Sequence, residues 1–268
     1  MPYFLHQAAS ILRCAGRTSM APAAPSGVAP ASAGPVDPAL IEDLVAANRI
    51  LADQGVLDGY GHVSARHPKN PARYLLSRSL APELVTPADI MEYDLDSIPV
   101  DQRGRTMYLE RFIHGEIYKA RPDVNAVVHS HSPAVVPFGV SSVALRPIYH
   151  MSAFLHRGVP VFEIRDAAGM TDLLVRDPHL GRALAQSLGD RPVALMRGHG
   201  NVTVGSGIPF AVYYAIYTEV NARLQLQAIS LGGSINYVAP DEGKLYEPNI
   251  AGTINRPWEL WKKKALRK

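Results

Sequence analysis

Val124-Asn125-Ala126-Val127-Val128-His129-Ser130-His131 is followed by prolines at 133 and 137. Four of its first five residues are apolar, so the stretch predicts a buried strand that the prolines close off. Side chains alternate faces along a strand, which puts His129 and His131 on one side at its end. Two imidazoles so placed can converge on one metal ion. They can equally hydrogen-bond at a strand terminus. The pair carries chemistry only if a third ligand and an acid or base stand elsewhere in the chain.

The flanking segments supply both. From Tyr108 to Ala120 the period is helical, with Leu109, Phe112, Ile113, Ile117 and Ala120 apolar and Pro122 ending the run. This predicts Glu110 in the first turn, with His114 four residues later on the same face. Downstream, Val193–Met196 predicts a buried strand, Arg197-Gly198-His199-Gly200-Asn201 a turn, and Val202–Val204 a second strand. The glycines beside His199 permit close backbone approach. Pro209 opens a long helix with the stripe Val212, Ile216, Val220, Leu224 and Ala228, closed by Gly232-Gly233. Upstream, Asp37-Pro38 starts an amphipathic helix that reaches Gly55. Gly59 to Arg66 is a glycine-rich approach to a short strand, Arg73–Ser77 is another strand, and Thr86-Pro87-Ala88-Asp89 a helical turn. A strand over Val159–Ile164 and a helix from Asp177-Pro178 to Gly189 follow. Short turns join several strand pairs among the helices. That pattern predicts an α/β fold with a mixed, mainly antiparallel sheet and helices on its faces.

Composition bounds the function. The 268 residues carry a scattered net charge of +3, which implies neither nucleic acid nor membrane as a partner. The lone cysteine, Cys14, excludes an internal disulfide and makes a reducing cytoplasm the expected compartment. Residues 1–36 are rich in Ala, Pro, Ser and Gly, lack any acidic residue, and read as a disordered leader. Residues 236–268 end in the basic, amphipathic Trp258–Lys264 and read as a C-terminal extension that contacts another subunit.

Three histidines and a glutamate thus stand where side chains are well fixed. His129, His131 and His199 would leave a divalent metal with open positions, as in a catalytic rather than a structural site. Such ligands choose weakly among Mn2+, Zn2+, Co2+ and Fe2+. Glu110 would either ligate the ion or act as the acid or base beside it. His114 reads as a core histidine, and His67, His156 and His179 as solvated.

Together, Glu110-x3-His114-x6-Arg121-Pro122-Asp123, Ala126-Val127-Val128-His129-x-His131 and Gly198-His199-Gly200 resemble the class II aldolase/adducin family over residues 37–235. Gly61–Ser64, Leu75–Ser79 and Tyr108–Gly115 are similar to the branch of hydroxy-aromatic carboxylate decarboxylases that includes 3-hydroxy-2-methylpyridine-4,5-dicarboxylate decarboxylase. The resemblance implies an α/β/α sandwich and a cyclic homotetramer with active sites between subunits. It further implies one divalent metal per subunit held by His129, His131 and His199, with Glu110 as the catalytic carboxylate. Where the family's sugar-phosphate aldolases carry Ser-Ser before the glutamate, this chain has Tyr108-Leu109, which lacks compact phosphate donors. Their Gly-Asn and Thr-Gly loops become Gly61-His62 and Ser77-Arg78, better suited to a planar, carboxylate-bearing ring. His62, Ser77, Arg78 and Tyr149 are therefore the expected substrate contacts. The aldolases' catalytic tyrosine aligns with His150, a second candidate for proton delivery. The expected activity is decarboxylation of a hydroxy-aromatic mono- or dicarboxylate, in aromatic catabolism, through a metal-stabilised enolate. An aldolase acting on a non-phosphorylated hydroxy-acid or hydroxy-carbonyl compound is the alternative. The family's adducin branch, which lacks the metal histidines, makes a non-catalytic scaffold the third possibility.

Overall fold

The computed structural model describes residues 29–267. Asp37 accepts the Ala39 amide and Pro38 supplies the first turn of α1 (Pro38–Asp53), as its capping sequence requires. The chain then forms β1 (His62–Arg66), β2 (Arg73–Ser77), β3 (Ile90–Asp94), α2 (Phe112–Ala120), β4 (Ala126–Ser130), α3 (Val136–Val140) and β5 (Val161–Phe162). It continues through α4 (Ile164–Ala168), α5 (Pro178–Leu188), β6 (Val193–Met196), β7 (Gly200–Gly205), α6 (Ile208–Leu231), α7 (Pro240–Thr253) and α8 (Asn255–Ala265). The seven strands lie in the order β3-β2-β1-β4-β7-β6-β5. Every neighbouring pair is antiparallel except β5 with β6.

Strand alternation divides the core into two layers and makes an α/β/α sandwich. Val63, Ala65, Leu75, Ala126 and Val128 pack against α1, α6 and α8. Tyr74, Leu76, Val127, Val202 and Val204 pack with residues of α2 and α5 on the other face. Each fully buried Val or Leu contributes about 1.5–3 kcal/mol relative to exposure, so β4, buried along its whole length, is strongly fixed in register. His129 follows Val127 on the α2 side. At Gly200, where β7 begins beside the end of β4, an added Cβ would strike the Ser130 carbonyl and crowd the His131 Cα. Glycine alone permits that approach, which carries His199 to His131.

Several expectations are corrected. The helix expected over 108–120 breaks at Glu110, whose φ of −90° and ψ of 19° interrupt a short 3-10 turn before α2. The stripe expected on α6 is fully buried only to Ile216, and Val220 is half-buried; beyond Ile216 the buried positions are Thr218, Glu219, Asn221, Ala222 and Gln225. Glu219 accepts from the Ser132 hydroxyl and the Ala134 amide, while Asn221 and Gln225 bond the backbone at 144, 146 and 148. The loop between β4 and β5 has few backbone partners of its own, so α6 supplies polar ones. His67 is buried, with its ring contacting the Gly34 carbonyl, and His156 lies under α7 against Gly243. Both were read as solvated because their covers come from distant sequence. Residues 31–35, assigned to a disordered leader, hydrogen-bond to Lys69, Arg73 and Glu92, whereas residues 1–28 lie outside the described residues. The extension 236–268 also packs on its own domain: Trp258 sits in the α1–α6 layer and Ile250 and Ile254 in a cluster with Phe154.

Candidate active site

Four side chains meet at the end of β4. His129 comes from the strand, His131 from just beyond it, His199 from the turn before β7 and Glu110 from the break before α2. Their ligating atoms lie within 4.8 Å of one another. Glu110 Oε2 is 3.5 Å from His129 Nε2 and 3.4 Å from His199 Nε2, and the Nε2 atoms of His131 and His199 are 3.0 Å apart.

The outer atoms of these groups are held by backbone. His129 Nδ1 donates to the Asn201 carbonyl (3.2 Å) and His199 Nδ1 to the Leu173 carbonyl (2.9 Å). A carbonyl only accepts, so each Nδ1 carries the proton and each Nε2 turns a lone pair inward. Glu110 Oε1 accepts the Val175 amide at 2.9 Å, leaving Oε2 for the same centre. His129 Nε2 is buried with no hydrogen-bond partner among the described residues. Acceptors therefore face acceptors around an orphaned buried nitrogen, an arrangement that a divalent cation satisfies. Without a cation, charge partly balances in another way. Burial opposes ionisation of Glu110, yet the imidazoles of His129 and His199 outweigh it and hold the carboxyl far below its usual range. Burial likewise works against a proton on His199, but Glu110 and the Leu173 carbonyl raise its affinity. Burial, His129 and His199 pull His131 down to about 4. Leu173 sits at φ 71°, a strained backbone for a leucine, where its carbonyl holds His199.

Glu110, His129 and His131 line a cleft of about 550 Å3 walled further by Tyr60, His62, Leu80, Tyr108, Leu109 and Leu174. His62 pairs in register with His129, and its ring lies 4.4 Å from that of Tyr108. Gly61 enables this: its φ is 86°, and a Cβ there would collide with Leu57 and approach the His129 carbonyl. Inward of His62 stands His114. Burial, then neighbouring histidines, hold His62 well below its ordinary value, and burial draws His114 down to about 3.

The structure thus gathers Glu110, His129, His131, His199 and His62, but not the remaining expected residues. Arg78 does not line the cleft; its Nε pairs with Asp89 at 2.5 Å, and Asp89 also accepts from the amide and hydroxyl of Thr86. The Ser77 hydroxyl is buried against that of Tyr108. Tyr149 and His150 lie at the 150–157 turn, among the rings of Tyr217 and Tyr246, and neither lines the cleft within this chain. Sequence reasoning missed Tyr60 on the rim, although an aromatic between two glycines ahead of a strand was a visible signal. It also missed the Leu173 carbonyl and Val175 amide, for which no residue-type signal exists. Arg78→Ala is accordingly expected to leave kcat/KM within about threefold and to cost only about 0.2–1 kcal/mol of stability, read from the thermal midpoint. A tenfold loss of kcat/KM would return Arg78 to the site.

Residues 42–226 match the family described as the class II aldolase and adducin N-terminal domain. The chain belongs to the class II aldolase/adducin family. Within it, the chain is 38% identical over 244 residues to the decarboxylase tropJ of Talaromyces stipitatus, covering 82% of this chain and 92% of that protein. It is 34% identical over 231 residues to the 3,4-dihydroxyphthalate decarboxylase of Arthrobacter keyseri, covering 80% of this chain and 88% of that one. Among solved structures, the L-fuculose 1-phosphate aldolase of Glaciozyma antarctica superposes with a TM-score of 0.69 at 25% identity, over 84% of this chain and 88% of that chain. The chain is an α/β member of the class II aldolase/adducin family, with a His/Glu cluster whose donor set could hold a metal ion. No helix among the described residues is long and apolar enough to cross a membrane.

Proposed function

We propose that this chain is a metal-dependent carboxy-lyase that decarboxylates a hydroxy-aromatic mono- or dicarboxylate of the benzene or pyridine type. The observation that carries this reading is a His/Glu cluster in which His129, His199 and Glu110 turn acceptors inward, beside a cleft with aromatic and apolar walls. The decarboxylase names of the two curated relatives support it. His129, His131 and His199 would hold one Mn2+, Zn2+, Co2+ or Fe2+ ion. When bound, that ion supplies the Lewis acidity that draws electrons toward the ring oxygen as the carbon–carbon bond breaks. Glu110, kept as a carboxylate, takes the proton of the ring hydroxyl and passes it to the ring carbon bearing the carboxylate. The ring–carboxylate bond then breaks, its electron pair returns to the ring, and CO2 leaves. The resulting phenolate regains a proton from solvent. His62 offers the cleft a polar contact for a substrate oxygen, while Tyr60 and Tyr108 flank the ring.

Assembly into a homotetramer with active sites between subunits completes the proposal. In such a ring Tyr149 and the exposed His150 would serve a neighbour's cleft, with His150 as a second proton donor. A cytoplasmic setting and a role in aromatic catabolism belong to the same reading. The alternative, an aldolase for non-phosphorylated hydroxy-acids or hydroxy-carbonyl compounds, draws on the aldolase structural neighbour. Metal-loaded protein is expected to release CO2 from at least one member of a panel of hydroxyaryl mono- and dicarboxylates and to leave ketose phosphates intact. Aldehyde release from a ketose phosphate or a hydroxy-acid, without CO2 from any aryl acid, would overturn the carboxy-lyase assignment.

A further inference from the structure

Behind His62 runs a file of three buried polar groups, His114, Ser64 and Tyr118, that the reaction as described does not use. His62 Nδ1 lies 2.6 Å from His114 Nε2, His114 Nδ1 lies 2.6 Å from Ser64 Oγ, and Ser64 Oγ lies 2.8 Å from the Tyr118 hydroxyl. All four side chains are buried, Ser64 and His114 completely. Their placement follows from periodicity. His62 and Ser64 alternate to one face of β1, and His114 and Tyr118 stand four residues apart on the face of α2 above them.

Proton counting fixes the direction of the file. The Tyr118 hydroxyl is its inner end, and Ser64 Oγ is the acceptor that receives the phenol proton. Ser64 then donates to His114 Nδ1, so the His114 proton sits on Nε2 and is donated to His62 Nδ1. The remaining proton of His62 is left on Nε2. In the reverse direction the Tyr118 proton would have no acceptor among the described residues, and an unsatisfied buried hydroxyl costs more than the file gains. Arg66 reinforces the choice. Its guanidinium lies 4.6 Å from the centre of the Tyr118 ring, which favours proton donation by the phenol. The guanidinium's own donors go to the carbonyls of Pro71, Tyr118, Arg121 and Val124.

We propose that Tyr118, Ser64 and His114 lock His62 in the tautomer whose Nε2–H faces the cleft, making His62 a fixed donor to an anionic oxygen of the substrate. His62 touches substrate, and the other three are positioning residues. Only the identity of that oxygen, a carboxylate on an aromatic ring, rests on the carboxy-lyase reading; the tautomer does not. A fixed donor favours an acceptor oxygen and rejects a group that must itself donate, which is a specificity that a freely rotating hydroxyl does not provide.

The test is long-range proton–nitrogen NMR on the Zn2+-loaded, nitrogen-15-labelled full chain, with the His62 signals assigned by their loss in His62→Gln. The native protein is expected to show His62 protonated at Nε2. Tyr118→Phe and Ser64→Ala are each expected to convert this to a mixture of tautomers. In both variants kcat/KM for a hydroxyaryl carboxylate should fall about three- to tenfold with zinc stoichiometry unchanged. Protonation of native His62 at Nδ1 would overturn the proposal even if neither variant folds. So would an unchanged nitrogen pattern in both folded variants. If the nitrogen pattern behaves as expected but no aryl acid is turned over, the lock stands and the carboxy-lyase reading alone falls.

Discussion

His129→Ala is expected to reduce bound metal from one ion per chain to well below that and to lower turnover at least about a hundredfold. Changing an outer partner of a metal ligand already costs roughly 10- to 100-fold in affinity or activity, so deleting the ligand should exceed that range. The site concentrates the loss at this residue. His129 is completely buried, its Nδ1 is committed to the Asn201 carbonyl, and its Nε2 has no partner but the centre of the cluster. Alanine also opens a cavity beside Val127 and His62, so stability must be read in parallel. His129→Gln provides that control, because it fills the space with a poorer ligand. Metal analysis after gel filtration, alongside a thermal scan, separates the outcomes. Unchanged stoichiometry in folded His129→Ala would remove the cluster from the metal assignment.

The centre of this site was legible because strand and turn geometry act locally. A two-residue period puts His129 and His131 on one side, and the glycine after His199 lets β7 crowd the end of β4. The antiparallel character of the sheet followed equally from short turns between strands. What escaped was set by contacts distant in sequence or by groups without a side-chain signature. Arg78 looked like a free cation beside a cleft, yet the Thr86-x-x-Asp89 box that captures it lies only eleven residues away. The carboxylate was visible and its geometry was not. On α6 the apolar period continued in the sequence past Ile216, but the neighbouring loop needed hydrogen-bond partners more than α6 needed apolar cover. The Leu173 carbonyl and Val175 amide orient two of the four cluster residues, and any side chain at those positions would present the same atoms. Backbone that supports a site is silent in sequence unless a strained φ forces glycine, and at Leu173 it does not.

Glu110→Gln carries the second large effect: kcat is expected to fall about 10^2- to 10^4-fold, the range for removing a positioned general acid or base. The substitution is well matched to its surroundings. The amide oxygen can still accept from Val175, while the amide nitrogen takes the place of Oε2 and donates toward His129 and His199. A donor there satisfies the orphaned lone pair of His129, so the metal-free variant should melt no lower than the native protein, and misfolding then cannot account for lost turnover. Three imidazoles remain, so one ion per chain should still bind at saturating metal, with weaker affinity if the carboxylate is itself a ligand. A variant that keeps native kcat would exclude Glu110 from proton transfer. A variant that loses metal at saturation would show instead that its charge is needed chiefly to hold the ion. Lost kcat with metal retained at saturation and an undiminished melting temperature is the expected combination, because three imidazoles still hold the ion while proton transfer needs the carboxylate.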